Sequence, residues 1–173
     1  MPRFLPPAPC RLLQAVALAV AALVLAGCGF QLRGTTSFPF ETLSVPSPSA
    51  LAIELKRNVA GGSNTKLVEP PAKAAATLEI YDEYRDKTIL SLNSQGRVRE
   101  FRLRYRIGYR LYDDKGQNMI PRTELLLTRD ISFNDSQVLA KESEEVILYR
   151  EMQSDMVQQL LRRMAAAKPA EAQ

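Results

Sequence analysis

The sequence is 173 residues long, 46% hydrophobic and 24% charged, with a formal net charge of +4, which suits one globular domain around one core. It contains no histidine, no tryptophan and only two cysteines. The commonest general base, metal ligand and triad partner is therefore missing, and a sugar-stacking site lacks its best aromatic, so catalysis and metal chemistry start at a disadvantage.

The N-terminus is the first informative segment. Arg3 and Arg11 precede an apolar run from Ala15 to Ala26 that closes on Leu25-Ala26-Gly27-Cys28. A positive start, a short apolar run and a small-residue cleavage site are the layout of a secretory signal peptide over residues 1–27. A cysteine directly after the cut matches a lipobox, whose thiol is acylated. The run is too short to span a bilayer, which takes about 20 apolar residues. The expectation is a signal peptide, a lipidated Cys28, a single domain over residues 28–167 and a disordered tail over residues 168–173. Cys10 leaves with the signal, so no disulfide is expected in the mature chain. Gly29 is not the aspartate of an inner-membrane retention signal, which directs the protein to the periplasmic leaflet of the outer membrane. Phe30 to Gly34 follow the anchor with almost no flexible spacer.

The elements then read in order. A strand is expected at Thr42 to Val45. Ser47-Pro48 reads as an N-cap with proline at the first helical position. Leu51, Leu55 and Val59 form one apolar stripe, and Gly61-Gly62 read as a left-handed stop, giving a helix at about 48–60. A short strand, Lys66 to Glu69, closes on Pro70-Pro71. A long strand follows from Ala76 to Leu92, with its phase lost between Asp82 and Lys87, a sign of a bulge or an edge. Asn93 to Gly96 is turn chemistry. Beyond it Phe101, Leu103, Tyr105, Ile107, Tyr109 and Leu111 alternate with Arg102, Arg104, Arg106 and Arg110. Asp113 to Gly116 turns the chain again, and Glu124 to Phe133 forms another strand. Asn134 to Glu142 reads as a connection. From Ser143 a long amphipathic helix repeats Val146, Tyr149, Met156, Leu160 and Met164, with Arg162 and Arg163 at its C-terminal end. The fold class expected is α+β: a two-layer sandwich with two amphipathic helices on one face of a mostly antiparallel, mixed four-stranded sheet.

The arginine stripe carries two readings. Guanidinium forks match phosphate oxygens, so a basic sheet face can receive an anionic partner. Cross-strand pairing with Glu79, Asp82, Glu83 and Asp86 explains the same residues without any ligand. No pair of carboxylates stands out for acid–base work, and no phosphate loop, metal-spaced cluster or cofactor motif is present, so no catalytic residue, metal or cofactor is assigned. Arginines interleaved with aromatics can bind RNA, but an exported, lipid-anchored chain meets little nucleic acid.

Cys28-Gly29-Phe30-Gln31-Leu32-Arg33-Gly34 resembles the start of mature proteins of the LptE family, the LPS-assembly lipoproteins. Leu139-Ala140-Lys141-Glu142, followed by acids and a helix ending Leu160-Leu161-Arg162-Arg163, is similar as well, as is Glu100-Phe101 after the Gln95-Gly96 turn. The resemblance implies a two-layer fold, residence as a plug in the lumen of the outer-membrane barrel LptD, and delivery of lipopolysaccharide to the outer leaflet. It implies that a basic loop residue and a lysine before the last helix touch the lipopolysaccharide. Lys141 matches the lysine. Ser94 stands at the loop position, where Arg97 is the substitute. The basic strand beside that turn adds Arg102 and Arg104 to the expected lipopolysaccharide site. Two other function classes stay open: a periplasm-facing scaffold lipoprotein that binds no lipopolysaccharide, and a cell-envelope hydrolase using a carboxylate pair.

Overall fold

The computed structural model describes Gln14, residues 36–70 and residues 72–168. The chain divides into Met1–Gly34 and Thr35–Gln173, and the fold is that of the second unit. The expected signal peptide, Cys28 with its motif, and the tail beyond Lys168 lie outside the described residues.

Strand β1 (Thr42–Ser44) leads into helix α1 (Ala50–Gly62), then β2 (Lys66–Leu67). A meander of β3 (Ala76–Leu92), β4 (Val98–Asp113) and β5 (Asn118–Ser132) follows, and helix α2 (Val138–Ala165) closes the domain. The sheet order is β2-β1-β3-β4-β5, five strands where the sequence suggested four. The short β1 and β2 both join it, because β1 pairs in parallel with β2 on one side and with β3 on the other. The architecture is otherwise the expected one, two helices packed against one face of a mixed sheet.

Local chemistry explains most element ends. Ser49, not Ser47, caps α1: its side chain accepts a hydrogen bond from the Ala52 amide at 3.2 Å. Gly61 and Gly62 do not stop the helix through a left-handed residue. They complete its last turn, and the chain leaves at Ser63, which is extended and whose hydroxyl donates to the Val59 carbonyl at 2.7 Å. The left-handed glycines are instead Gly96 (φ 76°) and Gly116 (φ 80°), one in each hairpin turn. Both turns are pinned the same way. Asn93 Oδ1 accepts from the amides of Gln95 and Arg97, and Asp113 Oδ1 from those of Lys115 and Gln117.

The suspected irregularity in β3 is a bulge. Register against β4 shifts between Tyr81 and Tyr84, and Asp82 takes a positive φ of 50°. Just before the bulge, Tyr81 packs against Gly108, where a Cβ would stand 2.3 Å from its ring. Two starts were misplaced by the sequence pattern. β5 begins at Asn118, ahead of Pro121, because the proline falls where the β4–β5 register shifts and no ladder bond is lost. α2 begins at Val138, not Ser143. Asn134 caps a short 3₁₀ turn (Asp135–Gln137), and Leu139-Ala140-Lys141-Glu142, good helix formers, continue it as α-helix.

The core lies between the sheet and the helices. Leu103, Tyr105, Ile107, Tyr109 and Leu111 of β4 are fully buried against Leu51, Leu55 and Val59 of α1 and Met152, Met156, Leu160 and Met164 of α2. A polar seam joins the two helices. Gln153 and Ser154 of α2 donate to the Glu54 carboxylate of α1 at 2.6 and 2.7 Å.

Candidate functional site

The outer sheet face carries the arginine stripe, and each of its arginines has an acid partner. Arg104 is bidentate to Asp86 of β3, with nitrogens at 2.9 and 2.6 Å from Oδ2, and Arg102 is bidentate to Asp130 of β5 at 2.8 and 2.9 Å. Arg106 lies 3.6 Å from Glu124, and Arg110 is hydrogen-bonded to Glu79. The hydrogen bond from Arg102 holds the Asp130 carboxyl below the usual carboxylate range and raises the guanidinium in turn. Arg104 is raised by its hydrogen bond to Asp86. Two of the four pairings use β3 acids that the sequence nominated; Asp130 and Glu124 of β5 went unnoticed because a sequence does not announce which strand flanks the far side.

A different set of groups gathers at the hairpin end of the sheet, on the helix side. The α2 start folds back over Phe101 and Phe133, whose rings meet edge to face at 5.2 Å. Lys141 Nζ donates to Ser132 Oγ at 3.0 Å and to Glu144 Oε2 at 2.8 Å. Lys87 Nζ stands 4.5 Å over the Phe101 ring and 2.6 Å from Glu145. These lysines border a cavity of about 220 Å³ whose apolar wall is Phe101, Ile131, Phe133 and Val138. Arg97, in the hairpin turn, reaches Asp135 in the 3₁₀ turn at 3.7 Å and so ties the two segments together.

Of the residues expected at the lipopolysaccharide site, Lys141 and Arg97 therefore share this end. Arg102 and Arg104 project from the opposite face of the sheet, since strand side chains alternate and Phe101 and Leu103 take the helix side. Lys87 was missed: it sits in the stretch where the β3 phase was unreadable. A third polar group lies deeper along α2. The buried Tyr105 hydroxyl donates to Glu83 at 2.6 Å and accepts from Arg85 at 3.1 Å, while Arg85 also donates to Gln153 at 2.8 Å. Among the described residues no cluster of three or more acids or cysteines could hold a metal ion, and no helix is long and apolar enough to cross a membrane.

The sequence model of LptE, described as Lipopolysaccharide-assembly, matches residues 40–164. The chain belongs to the LptE family. It is 30% identical to the LPS-assembly lipoprotein LptE of Yersinia enterocolitica over 164 residues, covering 89% of this chain and 76% of that protein. It is 29% identical to the LptE of Photorhabdus laumondii over 165 residues, covering 90% and 87%. Among solved structures, an uncharacterized lipoprotein B from Nitrosomonas europaea superposes with a TM-score of 0.70 at 40% identity, covering 80% of this chain and 91% of that one. The rare lipoprotein B from Shewanella oneidensis, at 23% identity and a TM-score of 0.62, shares the fold and covers 72% and 94%. LptE proteins are LPS-assembly lipoproteins, not enzymes, so the hydrolase reading falls.

Proposed function

We propose that this chain is an outer-membrane lipoprotein, anchored in the periplasmic leaflet through Cys28, that plugs the LptD barrel, binds lipopolysaccharide and helps deliver it to the outer leaflet. The observation that carries the reading is the hairpin end, where Lys141 and Lys87 border an apolar-walled cavity and Arg97 stands in the adjoining turn. Lipid A presents the matching pattern, phosphates beside acyl chains. The acid now beside Arg97 is no obstacle. The Arg97 side chain is 68% exposed and its pair with Asp135 is long, and exposed ion pairs contribute little, so a phosphate can replace the carboxylate.

Arg102 and Arg104 take a secondary part in this reading. Their face is balanced in charge and polar, which suits the wall of a barrel lumen, and they reach lipid phosphate only by giving up Asp130 and Asp86. Purification of the tagged full chain from detergent-solubilised outer membrane should recover a large β-barrel partner; its absence would sink the plug assignment. Lys141→Glu should weaken lipopolysaccharide binding about ten-fold, the scale of one charge-assisted hydrogen bond, with the melting curve checking that the fold persists. Unaltered affinity in a normally folded variant would remove Lys141 from the site.

A further inference from the structure

The end of the sheet farthest from the β3–β4 turn carries a second cavity, of about 530 Å³, on the face away from the helices. Its floor is one rung of the ladder. Ser44 of β1 stands opposite Thr77 of β3, and Thr77 opposite Tyr112 of β4, while their neighbours Leu43, Leu78 and Leu111 turn into the core. The chain between β2 and β3 passes over this rung. It is tied down by the Val68 amide, which donates to the Leu43 carbonyl at 3.0 Å, and by the Ala75 amide, which donates to Thr42 Oγ1 at 2.8 Å. Ser44 is only 5% exposed, yet its hydroxyl has no hydrogen-bond partner among the described residues and is not sealed from the cavity. The Thr77 and Tyr112 hydroxyls are likewise without partners among those residues. Buried polar groups are hydrogen-bonded as a rule, so a hydroxyl left open beneath a pinned segment points to something that enters the cavity.

The walls bring opposite charges. Lys73 lies in the overlying segment, Asp114 and Lys115 in the β4–β5 turn, and none of the three has an ion-pair partner among the described residues. Asp113 is committed to the turn, its Oδ1 accepting from the Lys115 and Gln117 amides. Carboxylates beside two ammonium groups disfavour a phosphate, which is held best by guanidinium forks. One face of the Tyr112 ring is taken by the Arg110 guanidinium, 4.8 Å from its centroid, which weakens the site as a platform for a sugar. A small molecule with a positive and a negative end matches the walls.

We propose that this cavity binds a short peptide with both ends free: Ser44, Thr77 and the ammonium groups of Lys73 and Lys115 receive its carboxylate, and Asp114 receives its ammonium group. The volume lies within the range of about 300–1,000 Å³ that holds small organic ligands. Hydrogen bonds to a charged group are the stronger kind, and the pinned segment sets the hydroxyl row in place before the ligand arrives. The site is at the opposite end and on the opposite face from the cavity that Lys87 and Lys141 border, and it stands apart from the lipopolysaccharide reading.

The test titrates the full chain in detergent with alanyl-alanine, its C-terminal amide and its N-acetyl derivative, and with chitobiose and inorganic phosphate as controls. The amide resonances of Thr77, Lys115 and Gly116 are followed by NMR. Alanyl-alanine should shift all three, each blocked form should bind about ten-fold more weakly, and the controls should leave the resonances in place. Ser44→Ala should weaken the dipeptide about three- to ten-fold; the hydroxyl holds nothing in the fold, and the melting curve checks that the fold persists. Asp114→Asn should weaken the dipeptide but not its N-acetyl derivative, and Lys115→Gln the dipeptide but not its amide. The proposal is overturned if the dipeptide moves no resonance, if phosphate or chitobiose binds as tightly as the dipeptide, or if Ser44→Ala keeps wild-type affinity. Equal losses for the dipeptide and its N-acetyl derivative in Asp114→Asn overturn it as well. None of these outcomes bears on lipopolysaccharide binding, so the two readings fail separately.

Discussion

Toward the helices, β4 presents Leu103, Tyr105, Ile107, Tyr109 and Leu111, all fully buried; toward the other side the same strand presents Arg102, Arg104, Arg106 and Arg110, each beside a carboxylate. The inner face is committed to one packing arrangement, because its side chains pack with Met152, Met156 and Leu160 in one buried cluster. The outer face is a ladder of exposed ion pairs, which hold register but add little stability. One strand thus separates what makes the domain fold from what it offers to a partner. That division lets the outer face adapt to a partner without disturbing the core.

Substitutions on the two faces should differ accordingly. Leu103→Ala should have the largest effect, a loss of about 2–5 kcal/mol from a cavity the core cannot close, read by denaturant or thermal unfolding. A loss below about 1 kcal/mol would mean that the inner face repacks and the contrast is weaker than drawn.

Tyr105 gives a middle case, because it is a core residue with a polar end. Burial, reinforced by Glu83, pushes its phenol above the usual tyrosine range, and burial does the same to Tyr149. A group raised on folding contributes stability that is intact below its unfolded pKa, about 10 for tyrosine, and lost as pH rises through the folded value. The wild type should therefore lose stability above about pH 10. Tyr105→Phe should cost about 1 kcal/mol at neutral pH and flatten that alkaline limb, leaving the share due to Tyr149. An unchanged alkaline slope would contradict the assignment.

Arg102→Gln should have the smallest effect, a melting temperature at pH 7 indistinguishable from wild type. Its signature lies in acid. Asp130 is depressed on folding, so its contribution is present above the unfolded carboxylate pKa and lost as pH falls through the folded value. Carboxylate NMR of the variant should show Asp130 titrating at higher pH than in the wild type; no movement would mean that Arg102 does not hold it.

The inner face of β4 was legible because alternation over a long strand admits one reading, and the Asn93 and Asp113 turns were legible because their side chains do the turning. Legibility failed where two signals competed. The strand expected from Glu124 begins at Asn118, with Pro121 at a register shift; Lys141 and Glu142 looked like a polar connection but belong to the first turns of α2. At the candidate site Lys141 and Arg97 were found through resemblance, and the structure brings them to one end. Which acid meets which arginine was legible only toward β3; pairing to β5 is a property of topology.

The Glu54 seam between the helices has a consequence for the order of folding. Ser154 is 100 residues from Glu54 along the chain, whereas β3, β4 and β5 join through tight turns. Short loops close at lower entropic cost, so the meander should form in the transition state and the helix layer should dock afterwards. Glu54→Ala should then speed unfolding and leave the refolding rate unchanged, a split visible in a chevron plot; slowed refolding would put the seam in the nucleus. On this route the apolar face of β4 is bare until α2, the last element made, arrives. A chain halted before α2 would present that face to solvent, so this domain cannot close its core until its last helix has been delivered.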